Sequence, residues 1–224
     1  MVNWSPAVIV MARAPISGEG KTRLRTVLSD QECLNLQEAF VQETVQIALD
    51  AALGPVFVAF TPARAAAWAD RTFGTRTRPF PQSNGNLGDR MLAALQHVQE
   101  QGHAPLLLIG TDIPRLRPRH LWDALKALTR TDLCLGPTED GGYYLLGCHD
   151  PVSSLFDHIA WGTDAVLETT LGRAKEAEIS TELMDELYDV DTPEDLVRFR
   201  QEVDQPSDDA HQRTREALGT LSST

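Results

Sequence analysis

Short runs of apolar residues alternate along the chain with longer stretches in which apolar residues recur at helical spacing. Ala7–Ala12, Val56–Phe60, Leu106–Ile109 and Leu133–Leu135 are continuous apolar runs bounded by Pro, Gly or polar residues. Unbroken hydrophobicity of this length predicts strands covered on both faces. Between them lie amphipathic helices. Ser29 followed by Glu32 forms a capping box, after which Cys33, Leu36, Phe40, Thr44 and Ile47 share one face. Leu87, Met91, Leu95 and Val98 predict a second helix, and Leu121, Leu125 and Leu128 a third. Another follows Trp161-Gly162-Thr163 with Val166, Leu167 and Leu171 inward. Thr192 as N-cap, Pro193 in the first turn and Glu194-Asp195 at the positive helix end start the last, with Leu196, Phe199 and Val203 on one face.

This β-α-β-α order predicts an α/β fold, a three-layer α/β/α sandwich on a mostly parallel mixed sheet. Tyr143–Gly147 follows Leu133–Leu135 too closely for a crossover helix, so the two form a hairpin or an antiparallel edge. Residues 1–203 read as a single domain. Residues 204–224 read as a polar, loosely ordered tail with a short helix at His211–Leu218.

The 224 residues suffice for one substantial core. A formal charge of −12 argues against a nucleic-acid partner, although it leaves a small phosphorylated ligand open. No apolar run approaches the roughly 18 residues of a membrane span, and the N-terminus lacks a signal-type leader. A cytoplasmic protein is expected. Cys33, Cys134 and Cys148 are odd in number and sit in apolar patterns, as buried free thiols do. The six histidines show no zinc-ligand spacing, and no G-x-S-x-G elbow is present.

Candidate chemistry lies in loops that follow strands, where open α/β sheets bind ligands. Ala12–Arg25 (ARAPISGEGKTRLR) carries two glycines, a proline and four cations after the first strand. It suits phosphate contact through Ala12, Arg13, Gly18, Lys21 and Arg23, or it is a solvated basic loop. Its spacing is neither a Walker A loop nor G-x-G-x-x-G. In Gly110-Thr111-Asp112-Ile113-Pro114, Asp112 either binds Mg²⁺ or Mn²⁺ or caps a turn. In Glu139-Asp140-Gly141-Gly142-Tyr143-Tyr144, Asp140 is a candidate general base, and Gly141, Gly142 and Tyr143 are candidates for substrate contact; a plain β-turn is the alternative. Asp189 and Asp191 sit two apart in an extended segment and would point the same way, with Asp191 the preferred second metal ligand and helix capping the competing role. Gln82–Arg90 precedes a helix, so Gly85 and Arg90 could touch a base or phosphate, or form an ordinary capped loop.

Taken together, Ala12–Leu24, Gln82–Met91, GTDIP, GPTEDGGYYLLG, Phe156…Trp161-Gly162-Thr163 and DVDTPEDL resemble the DUF2064 family over roughly residues 5–200. That family is glycosyltransferase-A-like and belongs to the nucleotide-diphospho-sugar transferase superfamily. The resemblance implies a GT-A, Rossmann-like sandwich that binds a nucleotide diphosphate through a divalent metal. It places Asp112 as the metal aspartate and Asp191 as the late acid completing the site. It gives Arg13, Lys21 and Arg23 to the phosphates. Typical GT-A glycosyltransferases carry Asp-x-Asp, whereas this chain reads Thr111-Asp112-Ile113. The Lys21–Leu24 run also looks like the opening loop of 2-phospholactate guanylyltransferases.

The activity expected is glycosyl transfer from a nucleotide-diphosphate sugar to a small-molecule acceptor, dependent on Mg²⁺ or Mn²⁺. The alternatives are nucleotidyl transfer from an NTP with pyrophosphate release, and a non-catalytic nucleotide-binding protein on the same fold. A homodimer is a possible assembly.

Overall fold

A computed structural model of the chain describes residues 5–203 and 212–219. Seven strands form one sheet in the order β3-β2-β1-β4-β6-β5-β7. They are β1 (Ala7–Arg13), β2 (Val56–Thr61), β3 (Arg78–Pro81), β4 (Leu106–Ile109), β5 (Leu133–Pro137), β6 (Tyr143–Cys148) and β7 (Thr181–Leu183). β1 pairs in parallel with β2 and β4, with Val8 opposite Val56 and Leu107. Only β6 runs against its neighbours, β4 and β5. The close spacing of β5 and β6 thus resolves as a hairpin. Its second strand is buried almost throughout and lies inside the sheet, not at an edge.

Strand alternation sends β1 side chains into two cores. Val8 and Val10 pack with α1 (Asp30–Ala51), α2 (Ala66–Phe73) and α4 (Pro118–Ala127). Ala7 and Ile9 pack with α3 (Leu87–Gln99) and α5 (Val166–Glu176) on the opposite face. The α/β/α sandwich follows directly. Among the described residues no helix is long and apolar enough to cross a membrane. Cys33, Cys134 and Cys148 are buried and free, and burial pushes the Cys134 and Cys148 thiols up to about 12.

A third cluster joins α1 to α6 (Pro193–Val203) and α7 (Gln212–Gly219) through Leu36, Phe40, Leu196, Phe199 and Leu218. His211 lies outside the described residues, as does most of the segment from 204 onward. Within α7, Thr214 is fully buried, and its N–H and hydroxyl both donate to the Glu43 carboxylate on α1.

At one end of the sheet the loops after β1, β4 and β5 come together. β6 is antiparallel, so its first residue, Tyr143, also arrives at that end. The α6 start is held there by docking of Phe199, which is 1% exposed and meets Phe40 edge-on at 5.8 Å. Phe199→Ala is expected to cost about 3–5 kcal/mol. The check is the urea midpoint at unchanged m-value, and an unshifted midpoint would mean that this docking adds nothing.

Candidate active site around Lys21 and Asp112

The loop after β1 turns through Gly20 (φ +71°) and Lys21 (φ +44°), a left-handed conformation that is costly for lysine. The turn drives the Lys21 side chain inward until 3% of it remains exposed. Its Nζ lies 2.8 Å from Asp112 Oδ1 and 3.1 Å from Asp191 Oδ1, and it donates to the Val190 carbonyl at 2.7 Å. The Phe40 ring lies 5.3 Å away. Burial works to lower the ammonium's pKa, but Asp112 and then Asp191 overcome it, so the net shift is upward. The lysine is held charged. The Val190 N–H returns to the Asp112 carbonyl at 3.0 Å. One buried cation therefore ties together the loops after β1, after β4 and before α6.

Two adjoining cavities open beside this node and share Asp112, Gly110, Thr111 and Tyr143. One, of about 350 Å³, is bounded by Ala12, Arg13, Thr61, Gln82 and Arg90. Gln82 fixes its shape. The Gln82 Nε2 donates to the Ala59 carbonyl at 2.7 Å and to that of Ala12 at 3.3 Å, and its Oε1 accepts from Arg90 at 3.1 Å. Burial first and the neighbouring Arg13 charge second lower the Arg90 pKa. Two guanidinium groups thus face this cavity close enough to repel each other, which favours an anion between them.

The other cavity, of about 270 Å³, is bounded by Asp112, Thr138, Asp140, Asp189, Tyr143 and Trp161. The Asp140 Oδ1 accepts from the Thr138 hydroxyl at 2.6 Å and from the Gly142 N–H at 3.0 Å, which fixes the carboxylate in the β5–β6 turn. Gly141 (φ +84°) makes the turn possible: a Cβ there would sit 2.1 Å from the Asp164 carbonyl oxygen. Trp161 closes the far side by lying on Gly88 of α3, where a Cβ would meet its ring at 2.6 Å. Burial pushes Asp189 up to about 6, aided by the charges of Asp140, Asp191 and Asp112.

Most of the residues singled out in the sequence lie at these cavities. Ala12, Arg13 and Arg90 bound one, Asp140 and Gly142 bound the other, and Tyr143 bounds both. Asp112 belongs to both, with Lys21 and Asp191 behind it. Gly141 shapes the turn and accepts from the Leu167 N–H at 2.9 Å without bounding a cavity. Gly18, Arg23 and Gly85 bound neither. Gly18 turns at φ +81°, with its N–H 3.4 Å from Asp30 at the start of α1; Arg23 and Gly85 are exposed.

The Asp191 side chain does not cap α6. Thr192 and Asp195 do so reciprocally, leaving Asp191 to Lys21. Asp189, set aside in the sequence in favour of Asp191, is the one of the pair that bounds a cavity. Thr138, which fixes Asp140, and Trp161, which forms a wall, carried no chemical signal of their own.

Among the described residues no group of three or more His, Cys, Asp or Glu side chains is placed to hold a metal ion. Asp112, which bounds both cavities, and Asp189, which bounds one, nevertheless offer hard oxygen donors, with Asp191 behind them on Lys21. This suits Mg²⁺ or Mn²⁺, which binds through one or two carboxylates and completes its shell with water and substrate phosphate.

Residues 18–163 match DUF2064, described as an uncharacterized protein conserved in bacteria. The chain belongs to that family. No curated protein matches it. Over 98% of this chain and 97% of the other, the fold superposes on a candidate nucleotide-diphospho-sugar transferase from Desulfovibrio desulfuricans G20, with a TM-score of 0.87 and 26% identity. CMP:2-keto-3-deoxy-manno-octonic acid synthetase complexed with CTP shares the fold at a TM-score of 0.56 and 17% identity, covering 89% of this chain and 98% of that one. Rv0371c from Mycobacterium tuberculosis H37Rv, complexed with manganese, shares it at 0.55 and 15% identity, covering 88% and 98%. The architecture of this DUF2064 protein is that of the nucleotidyl- and sugar-nucleotide transferases.

The raised Asp189 pKa sets a pH dependence. The unfolded carboxyl titrates near 3.8 and the folded one near 6, so the folded state opposes its ionisation. That opposition is absent below pH 4, grows as pH rises from 4 to 6, and is complete above 6. Asp189→Asn should therefore leave stability unchanged relative to wild type at pH 4 and increase it above pH 6. Urea unfolding of both proteins across this range tests it, and a difference independent of pH would contradict it.

Proposed function

We propose that this protein is a divalent-cation-dependent glycosyltransferase that takes a sugar from a nucleotide-diphosphate sugar and passes it to a hydroxyl-bearing small molecule. The observation that carries this reading is the meeting, at Asp112, of a guanidinium-lined cavity and a carboxylate-lined one. The similarity to the Desulfovibrio protein supports it. In this reading Arg13 and Arg90 hold the nucleotide, with Arg90 aimed by Gln82. Asp112, with Asp189 or Asp191, holds Mg²⁺ or Mn²⁺, which when bound offsets charge on the diphosphate. The Lys21 ammonium already faces three protein oxygens, so it acts by fixing Asp112 and Asp191 in place. The acceptor oxygen attacks the anomeric carbon and the bond from that carbon to the diphosphate oxygen breaks. Asp140 takes the hydroxyl proton, and a nucleoside diphosphate leaves.

A nucleotide that binds only the folded state raises the melting temperature. A panel of nucleotide sugars and NTPs with Mn²⁺ should show this for a nucleotide sugar, and turnover should release nucleoside diphosphate. Pyrophosphate release would assign nucleotidyl transfer instead. Asp112→Asn should cut turnover on the order of 100-fold or more. Full activity in that variant would contradict the reading.

A further inference from the structure

The two cavities differ in charge, and the difference bears on the acceptor. Arg13 and Arg90 flank the nucleotide side. The other cavity carries Asp112, Asp140 and Asp189, and among the described residues no Lys, Arg or His bounds it. Its remaining wall carries Thr111, Thr138 and Thr163 beside an aromatic and apolar side. Tyr143 stands edge-on to Trp161 at 6.4 Å and 78°, beside Leu87, Met91 and Val166. The polar atoms of these two rings are turned into the protein, Tyr143 Oη against Thr170 of α5 and Trp161 Nε1 over Gly88 of α3, so the wall presents carbon to the cavity.

A ligand hydroxyl matches both sets of groups. It donates to a carboxylate, while the C–H face of the ring that carries it packs on the aromatic wall. A phosphate or carboxylate can only accept, and in a partly enclosed space it would face Asp140 and Asp189 together with an Asp112 that Lys21 offsets only from behind. Loading the donor does not reverse this, because the diphosphate brings at least as much negative charge as a divalent cation brings positive.

We propose that the cavity between Trp161 and Asp140 is the acceptor subsite, and that it takes a polyhydroxylated compound without negative charge, its sugar-like face against Tyr143 and Trp161. This rests on the glycosyl-transfer reading above and names the acceptor class for it. Phosphorylated and carboxylate-bearing acceptors are excluded by charge.

Saturation-transfer NMR on the full chain, alone and with Mg²⁺ and a nucleoside diphosphate, tests the assignment. The probes are methyl glucoside, glucosamine, glucose 6-phosphate and glucuronate, which share a ring and differ in charge. The first two should bind at least tenfold more tightly than the last two. Asp189→Asn should narrow the gap between methyl glucoside and glucuronate. Equal or tighter binding of the anionic probes overturns the proposal, as does a gap unmoved by Asp189→Asn or a lack of signal from all four. Melting temperature with nucleotide and Mg²⁺ is read separately. Its failure to rise, with the probe order intact, would count against the donor reading alone.

Discussion

The site depends on one buried ammonium. Lys21 is brought inside by a left-handed turn and stays charged because two carboxylates and a carbonyl surround it. A buried cation left without partners is strongly unfavourable, and so is a buried carboxylate that loses its cation. Each of the three loops that meet here is therefore held by the other two. They come from positions 21, 112 and 191, which no local preference brings together. The sheet delivers the first two at the ends of adjacent parallel strands, and the docking of α6 onto α1 delivers the third.

From this node the division of labour follows. Asp112 faces both cavities, so whatever binds across them meets at one carboxylate. On one side Gln82 spends its amide on two backbone carbonyls and on Arg90, so that a guanidinium is pre-aimed instead of being recruited by ligand. On the other side the β5–β6 turn uses the Asp140 carboxylate to close itself, which fixes the orientation of a group that would otherwise be mobile on an exposed loop. Both devices reduce the ordering a ligand must impose, which is the general advantage of preorganised sites.

The central strands and main helices were legible in the sequence because burial on both faces leaves unbroken apolar runs, and capping residues mark helix ends. β3 and β7 were not. They are three or four residues long, lie at the sheet edges, and carry Arg78, Pro79, Pro81 and Glu182, none of which reads as strand. The sequence preferred Asp191 as second metal ligand on the expectation that it and Asp189 point the same way, a rule that holds only for a regular strand. Here the segment is leaving the sheet for α6, so Asp191 turns to Lys21 while Asp189 faces the cavity. Trp161 stood out only as part of a motif, and its place as a wall was hidden because that depends on the absence of a side chain at Gly88, a long-range fact that spacing cannot reveal.

The most direct measurement is a crystal structure of the full chain with Mn²⁺ and a nucleoside diphosphate. The account predicts the metal and diphosphate at Asp112, with the nucleotide extending along Arg13, Gln82 and Arg90 and the space beside Trp161 left open. Nucleotide bound away from this junction, or lying in the cavity of Asp140 and Trp161, would contradict it.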